Sequence, residues 1–434
     1  MRPTPVASPD ACRVGLLGLG TVGSAVARLL SERADELARQ AGVPIVLHRV
    51  AVAHPERARA VSLPPGTLVG DARAVVADPA VAVVVEVMGG IEPARSYLLE
   101  ALAGGKAVVT ANKQLMSTRG DELHAAAEAA GVDLCFEASV AGGLPIIKTI
   151  REALAGNRIR QLLGIINGTT NFILTRMTRD GVSFGEALAD AQQRGFAEAD
   201  PTDDIDGHDA AAKLAILASV AFGCRVTSAD VYREGIGEVT PRMIAYSREL
   251  GYVVKPLAIA RNDGGAVEVR VHPALLPAHH PLAGVGDEVN AVLIEADPVG
   301  LLMLEGPGAG GGPTASAVLG DVVDVARNLR AGAAGRLGGM PRRRLPLREV
   351  ADTVLPYCVA MEVADRPGVF ARVAAAFGDE QVSIASIVQK SRGVTADVVL
   401  VTHEAPEAAM RRVIGRLRQL DVVRSVHAAL RIAA

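Results

Sequence analysis

Along residues 11–138, segments with two different patterns of apolar and polar positions follow one another. Helix-period segments lie near 24–42, 92–104 and 118–130. Between them run short, almost wholly apolar segments of strand length, at 13–17, 44–52, 80–90, 106–112 and 132–138. Strands that alternate with helices predict a parallel, doubly wound α/β sheet, and apolar runs without alternation are typical of strands buried on both faces.

The pattern changes between residues 139 and 305. Helices are predicted at 143–155, 183–194, 207–222 and 240–250. Alternating, strand-like runs occur near 159–166, 253–260, 266–273 and 289–296. This mixture predicts an α+β domain. A glycine-rich loop and a long helix follow at 305–329, a segment that could return to the first domain.

A Gly/Pro/Arg-rich stretch at 331–349 has the composition of a linker. The segments after it predict the order βαββαβ, a small ferredoxin-like fold, at 354–364, 367–378, 381–391, 394–403, 406–419 and 422–432. The chain therefore divides into an α/β domain (11–138, completed by 306–330), an α+β domain (139–305), a linker (331–350) and a C-terminal domain (351–434).

Composition excludes several classes of function. The net charge of -3 and the absence of Trp in 434 residues give neither a basic surface nor stacking platforms for nucleic acid. No apolar run reaches the length of a membrane span, and the N-terminus lacks the apolar core of a signal peptide. The four cysteines are widely spaced, which is typical of reduced thiols in a cytoplasmic protein.

A glycine motif, GLGTVG, follows the first predicted strand and opens a helix. Gly18 allows the tight turn, Gly20 lets the backbone approach a pyrophosphate, and Gly23 lets the helix pack closely on the sheet. This context predicts binding of a dinucleotide through Gly18, Gly20, Thr21, Val22 and Gly23. A plain turn is the alternative.

The cofactor preference depends on the end of the second strand, where an acidic residue would bind the ribose 2′-hydroxyl of NAD. Ala53 and His54 stand there instead, with Arg57 and Arg59 close behind. The arginines favour the 2′-phosphate of NADP, although they could also simply solvate a helix.

An acidic segment, EADPTDDIDGHDAAAK, covers residues 198–213. Aligned as a calcium loop, it places Lys213 where a bidentate Glu is required, so that interpretation fails. From residue 206 onward the segment reads as a helix, in which Asp209 and Lys213 share a face. The chain has only six lysines among 45 basic residues, and a lysine, unlike an arginine, can lose its proton. The pair is therefore a surface ion pair or a proton donor with its carboxylate partner.

Further polar groups stand at predicted strand ends or between apolar runs. Asn112 and Lys113 end the fourth strand, on the edge where open α/β sheets bind ligands. The loop 136–148 exposes backbone carbonyls beside the single carboxylate of Glu137, a set that could hold a monovalent cation or form a tight turn. The segment NGTTNFIL at 167–174 predicts a cap or turn, or a pocket lining.

The segments GLGTVGS, EVMGG, TANK, EASVAGGLPII, NGTTNFIL and EADPTDDIDGHDAAAKLAIL, in this order, resemble the homoserine dehydrogenase family. The segment EVADRPGVFARVAAAF resembles an ACT domain, a module that binds amino-acid effectors. The resemblance covers nearly the whole chain after residue 10. It implies that 11–138, completed by 306–330, is the nucleotide-binding domain and that 139–305 is the substrate-binding, catalytic and dimerisation domain. It implies NAD(P)-dependent interconversion of L-homoserine and L-aspartate 4-semialdehyde, in the biosynthesis of threonine, methionine and isoleucine.

The resemblance also implies roles for individual residues. Lys213 would be the general acid and Asp209 would orient both the substrate and Lys213. Glu198 would bind the substrate ammonium with help from Asp204, and Lys113 would contact both cofactor and substrate. Gly195 and Gly310 match positions that approach the nicotinamide nucleotide.

Ion, effector and assembly are implied in the same way. Sodium would be held by Glu137, Val140, Gly142 and Leu144, largely through backbone carbonyls. An effector, usually L-threonine in this family, would bind at Asp365, Gly368 and Val369. Members of the family are homodimers or homotetramers. One departure concerns Ala53, where many members carry an Arg that meets the 2′-phosphate, so strict preference for NADP over NAD is not implied.

Two alternatives compete with this interpretation. Aspartate-semialdehyde dehydrogenase needs a nucleophilic cysteine, and Cys135 lies in a strand-like run without a catalytic setting. A non-catalytic regulator that senses NAD(P) and an amino acid would keep the glycine motif and the ACT domain. Such a sensor would have no use for Lys113, Glu198, Asp209 and Lys213 together.

Overall fold

The computed structural model of the chain describes residues 10–57, 59, 61–336, 344–390 and 393–433. Part of the predicted linker, residues 337–343, lies outside the described residues. The chain forms two compact units. The first comprises the described residues of 1–159, 212–230 and 295–345, and the second those of 160–211, 231–294 and 346–434.

The strands of the described residues are β1 (Cys12–Leu17), β2 (Ile45–Ala51), β3 (Leu68–Val69), β4 (Val83–Glu86), β5 (Ala107–Thr110), β6 (Leu134–Cys135), β7 (Arg158–Ile165), β8 (Tyr232–Arg233), β9 (Tyr252–Asn262), β10 (Val267–Pro277), β11 (Val289–Asp297), β12 (Gly300–Pro307), β13 (Val354–Leu355), β14 (Tyr357–Ala364), β15 (Ile384–Gln389), β16 (Thr395–Thr402), β17 (Ala405–Pro406) and β18 (Val423–Ile432).

The α-helices of the same residues are α1 (Thr21–Glu32), α2 (Ala34–Ala41), α3 (Arg73–Val76), α4 (Ala94–Ala103), α5 (Lys113–Ala130), α6 (Ile146–Lys148), α7 (Gly168–Asp180), α8 (Phe184–Gln193), α9 (Thr202–Ile205), α10 (His208–Phe222), α11 (Pro241–Glu249), α12 (Gly311–Arg330), α13 (Val369–Gly378) and α14 (Glu407–Gln419). A π-helical stretch, Thr149–Ala153, directly follows α6.

The first unit contains the predicted parallel sheet, with strand order β3-β2-β1-β4-β5-β6. Every strand pair in it is parallel, as in a doubly wound fold. Its apolar core joins β1, β4 and β5 to α1, α2 and α12. The helix α12 thus completes the core around the parallel sheet. This agrees with the prediction that the segment 305–329 returns to the first domain.

The second unit is built on a mixed sheet with the path β11-β7-β9-β10-β18-β14-β16-β15, and β8 pairs with β10. Its last four strands, in the order β18-β14-β16-β15, form the predicted ferredoxin-like βαββαβ arrangement. A parallel contact between β10 and β18, with Ala274 opposite Arg431, joins them to the remaining strands. The C-terminal strands therefore share a sheet with strands of the predicted substrate domain, and the boundary at residue 350 stays a prediction.

Strand β14 buries both faces, because its side chains alternate between two cores. Tyr357, Val359 and Met361 pack with α13 and α14. Cys358 and Ala360, which point the other way, pack with α7, α8 and α11. This explains why β14 reads as an apolar run without alternation.

Three local predictions were wrong, and one strand was missed. The predicted helix 24–42 is two helices, since Arg33 leaves helical geometry between α1 and α2. The strand at 132–138 ends at Cys135 and is followed by a 3-10 turn. The predicted helix 143–155 contains only the short α6 and the π-helical stretch. The strand β12 was not predicted at all.

Candidate functional site

The glycine motif forms a tight connection between β1 and α1. Gly18 has φ of +100°, and a Cβ there would lie 2.9 Å from the carbonyl oxygen of Val87. A Cβ on Gly23 would lie 2.2 Å from the carbonyl oxygen of Gly18. Around Gly20, by contrast, no atom lies within 4 Å of a built Cβ, and no side chain caps α1. The first amides of α1 are thus left for an anion, which fits a pyrophosphate.

A cavity of about 420 Å³, here called the lysine cavity, lies in the first unit. Lys113 and Lys213 both line it, although they are a hundred residues apart in the chain. The remaining walls come from Val22 of the glycine motif and from three further segments, 87–90, 138–142 and 308–314. The structure therefore brings the two predicted lysines together beside the glycine motif.

A buried carboxylate shapes one wall of the lysine cavity. Glu86, at the end of β4, accepts hydrogen bonds from the backbone N–H groups of Met88 (2.7 Å) and Gly89 (3.0 Å) and from the hydroxyl of Thr110 (2.6 Å). Asn112 caps α5 by accepting the N–H of Leu115, and its amide donates to the carbonyl of Gly90. These contacts fix the loop that follows β4 and place Lys113 at the first position of α5. Glu86 was not among the predicted site residues. A single acidic residue at the end of an otherwise apolar strand is the pattern that could have indicated it.

A second cavity of about 530 Å³, the arginine cavity, shares Val87 and Met88 with the lysine cavity. Its lining includes Gly18, Gly20, Arg57 and Arg59. Arg59 donates to the carbonyl of His54 at 2.6 Å, while its Nε is buried without a hydrogen-bond partner among the described residues. An orphaned guanidinium donor beside an anion-binding glycine turn fits a phosphate group.

Glu137 is buried at the start of the loop proposed to hold a cation. Its carboxylate accepts the backbone N–H groups of Ile147 (2.7 Å) and Lys148 (2.8 Å), and its own N–H donates to Asp321 of α12 (2.9 Å). Burial, followed by the charge of Asp321, raises the pKa of Glu137 to about 7. Val140 and Leu144 are buried as well.

Gly142, which also belongs to the predicted cation set, lines the lysine cavity. It has φ of +48°, and a Cβ there would lie 2.5 Å from the carbonyl oxygen of Gly308. Gly310 has φ of +110° and stands just before α12. The loop 137–144 and the start of α12 therefore approach each other through glycine backbone, which leaves no room for larger residues.

The predicted carboxylates lie in the second unit. Asp204 stands on α9, and Asp209, which is 6% exposed, stands in the first turn of α10. The amide nitrogen of Asn167 donates to both, at 2.6 Å to Asp204 and 2.9 Å to Asp209. Asn167 was expected to cap, turn or line a pocket. It caps α7 and also bridges the two acids, a role that no local pattern shows.

The rest of the acidic segment is more open. Glu198 is exposed, and its backbone carbonyl accepts from Gln192 at 3.0 Å. Gly195 is exposed with φ of +77°. Lys213 is half-buried on α10, the same helix that begins with His208 and carries Asp209 one turn earlier. The helix spacing predicted for this pair is confirmed.

The predicted effector turn begins α13. Gly368 has φ of +86° at the N-cap, and no side chain caps the helix. Asp365 accepts hydrogen bonds from the side chain of Gln389 (3.2 Å) and the backbone of Gly393 (3.0 Å). Val369 is buried beneath this turn.

Two further structural findings concern the cysteines and the helices. All four cysteines are buried, and burial raises the pKa of Cys135 well above its ordinary value, so it is no thioester-forming nucleophile. Within the described residues, no helix combines the length and apolarity that crossing a membrane would require.

Family models match three parts of the chain. Residues 18–137 match "Homoserine dehydrogenase, NAD binding domain", residues 145–323 match "Homoserine dehydrogenase", and residues 359–421 match "ACT domain". A curated relative from Bacillus subtilis, named homoserine dehydrogenase, is 43% identical over 97% of this chain and 98% of its own.

Solved structures that resemble this chain carry the same family name as the curated relative. A homoserine dehydrogenase from Thiobacillus denitrificans is 42% identical, with a TM-score of 0.92 and 98% of each chain covered. A hyperthermophilic archaeal homoserine dehydrogenase in complex with NADPH is 28% identical, with a TM-score of 0.62, covering 73% of this chain and 97% of its own.

Proposed function

We propose a mechanism on the premise that this chain belongs to the homoserine dehydrogenase family, as its full-length relatives establish. Its function is accordingly the NAD(P)-dependent interconversion of L-homoserine and L-aspartate 4-semialdehyde, and the sensor alternative is not favoured. The observation that carries the mechanism is that Lys113 and Lys213 line one cavity beside the glycine motif.

Lys213 is the general acid of the reductive direction. Reduction of an aldehyde builds negative charge on its oxygen, and an ammonium group stabilises this charge before it gives up a proton. Lys213 is half-buried at the cavity wall, where an ammonium is less hydrated than at the surface. Lys113 contributes a second positive charge on the same wall and contacts both cofactor and substrate.

The acids of the second unit recognise the amino-acid part of the substrate. L-Homoserine carries an ammonium group, which a carboxylate must meet. We assign this to Glu198, with Asp204 in support. Asp209 orients the substrate and Lys213, its neighbour one turn along α10.

The dinucleotide is held by the glycine motif, in which Gly18, Gly20, Thr21, Val22 and Gly23 present the uncapped start of α1. We assign Gly195 and Gly310 to the neighbourhood of the nicotinamide nucleotide. When bound, the cofactor supplies the hydride in the biosynthetic direction. Support for NADP comes from Arg57 and Arg59 in the arginine cavity and from the archaeal relative solved in complex with NADPH.

A sodium ion is assigned to Glu137, Val140, Gly142 and Leu144. The buried Glu137 supports this, because a cation would offset the cost of its charge. Replacing sodium by choline in the assay should lower activity, and unchanged activity would remove the ion from the scheme.

The regulatory part of the proposal concerns the ACT segment. Asp365, Gly368 and the uncapped start of α13 at Val369 are assigned to an amino-acid effector, L-threonine, whose carboxylate the free amides would receive. Inhibition by threonine that Gly368→Ala abolishes would support the assignment. We further propose a cytoplasmic homodimer or homotetramer, for which light scattering gives the subunit number.

The mechanism is tested by following NADPH oxidation with aspartate semialdehyde. Lys213→Ala should lose about 100- to 10,000-fold in kcat, the usual contribution of a positioned proton donor. Lys213→Arg should keep the charge yet stay slow, because arginine does not release its proton. Lys390→Ala, which removes a half-buried lysine of the C-terminal segment, serves as the control. Full activity of Lys213→Ala would refute the assignment.

A further inference from the structure

The side chain of Asn167 is held in one orientation. Its Oδ1 accepts the backbone N–H of Thr170 at 2.8 Å and the hydroxyl of the same residue at 2.8 Å. The backbone N–H can only donate, so it requires an oxygen at that end of the amide. Asn167 is also only 6% exposed, so neither solvent nor rotation offers an alternative. The amide nitrogen therefore points away from α7 in a fixed direction.

That nitrogen meets two carboxylates. Nδ2 donates to Oδ1 of Asp204 at 2.6 Å and to Oδ2 of Asp209 at 2.9 Å, one hydrogen for each acid. The acids belong to different helices, α9 and α10, and two carboxylates this close to one donor repel each other. Charge-assisted hydrogen bonds from a neutral amide offset the repulsion. An arginine or lysine would bring a positive charge to the acids, whereas the neutral amide brings none.

We infer that Asn167 is a positioning residue, which holds Asp204 and Asp209 at a fixed separation for the substrate. This inference rests on the proposed function, in which both acids act on homoserine. Asn167 acts through the acids and also begins α7, so it ties the start of one helix to the acids of two others. Losing its nitrogen should free the acids to separate, and the loss should be felt in homoserine binding and turnover.

The test separates the amide nitrogen from the helix cap. Asn167→Ser keeps a good N-cap acceptor for Thr170 but lacks a group that can donate to both acids. Asn167→Ala removes both functions. Ser183→Ala removes the cap of α8, an exposed helix start in the same unit, and serves as the control for cap loss alone.

For Asn167→Ser, we expect kcat/KM for homoserine to fall about 100-fold, as expected for two hydrogen bonds to charged acceptors, with the KM for NADP unchanged. Ser183→Ala should lower the melting temperature without changing either parameter. Wild-type kinetics for Asn167→Ser, or an equal loss in the KM for NADP, would overturn the inference. An Asp209→Asn variant distinguishes the two levels: full activity there refutes the role that the proposed mechanism assigns to Asp209, whereas an inactive Asp209→Asn beside a normal Asn167→Ser refutes only the role of Asn167.

Discussion

Replacing Arg431 by methionine should sharply destabilise the second unit. The guanidinium of Arg431, whose side chain is 6% exposed, makes two hydrogen bonds to Glu234, both 2.7 Å, and two to Glu407, at 2.8 and 2.7 Å. The side chain of Glu407 is only 4% exposed and also accepts the hydroxyl of Tyr357. Methionine fills much of the same volume but leaves the buried carboxylate of Glu407 with only the half-exposed Arg411 as a cationic partner.

The expected loss is about 3–5 kcal/mol in the free energy of unfolding, the usual effect of breaking a buried ion pair on one side. Arg411 supplies a matched control, since it pairs with the same Glu407 at 3.0 Å but is 50% exposed. Arg411→Met should cost no more than about 1 kcal/mol. Adding Glu407→Gln to Arg431→Met should recover part of the loss, because the uncompensated charge disappears.

The effect should depend on pH in a defined direction. Burial alone would raise the pKa of Glu407, but the hydrogen bonds and charge of Arg431 override it and hold the pKa below its ordinary value. A lowered folded-state pKa stabilises the protein above the unfolded pKa of about 4.3, and this stabilisation is lost as the pH falls through the folded value. Without Arg431, burial raises the pKa of Glu407, so the variant takes up a proton and its deficit shrinks between pH 7 and pH 5.

Urea unfolding followed by far-ultraviolet circular dichroism, at pH 7 and pH 5, measures these differences. The circular dichroism signal suits a chain without tryptophan. If Arg431→Met proved as mild as Arg411→Met, or if its deficit grew on acidification, the reasoning about the buried carboxylate would be refuted.

Two further predictions concern catalysis. Gly235→Ala should raise the KM for homoserine several-fold, because its Cβ would lie 2.6 Å from the carbonyl oxygen of Ile205 and displace the end of α9, which carries Asp204. Gly237→Ala, whose Cβ would meet nothing within 4 Å, should leave the KM unchanged, and equal effects of both would contradict this account. Arg59→Ala should raise the KM for NADP about tenfold, as expected for the loss of a charged hydrogen bond. Activity with NAD should stay the same. An equal loss with both cofactors would exclude a contact between Arg59 and the 2′-phosphate.

The parallel sheet and the tight glycine turn between β1 and α1 followed from the sequence because they rest on local rules. An apolar run before GLGTVG and a helix after it leave few other folds, and β1, α1 and the parallel sheet are as predicted. The scarcity of lysine was informative too. None of the six lysines is exposed. Each one donates hydrogen bonds to backbone carbonyls, pairs with an acidic side chain or lines the lysine cavity.

Other features could not be read locally. The helix α7 begins with Gly168, Thr169, Thr170 and Asn171, a polar run of poor helix formers, and it forms because its later residues pack into an apolar core. The strand β12 was missed for a different reason: its residues are exposed or half-buried, and its pattern alone does not favour a strand over a loop. In α7, tertiary packing overrides a weak local propensity.

The sequence by itself determined the fold class and the family, and it singled out Lys113 and Lys213 as candidate site residues, since each of these rests on contiguous motifs. Only the tertiary structure decided which side chains hold the acids in place. Asn167 reaches Asp204 and Asp209 across 37 and 42 residues, and Arg431 reaches Glu234 across 197. Such contacts depend on how helices and strands pack, and no helical or strand period along the chain encodes a pairing over those distances.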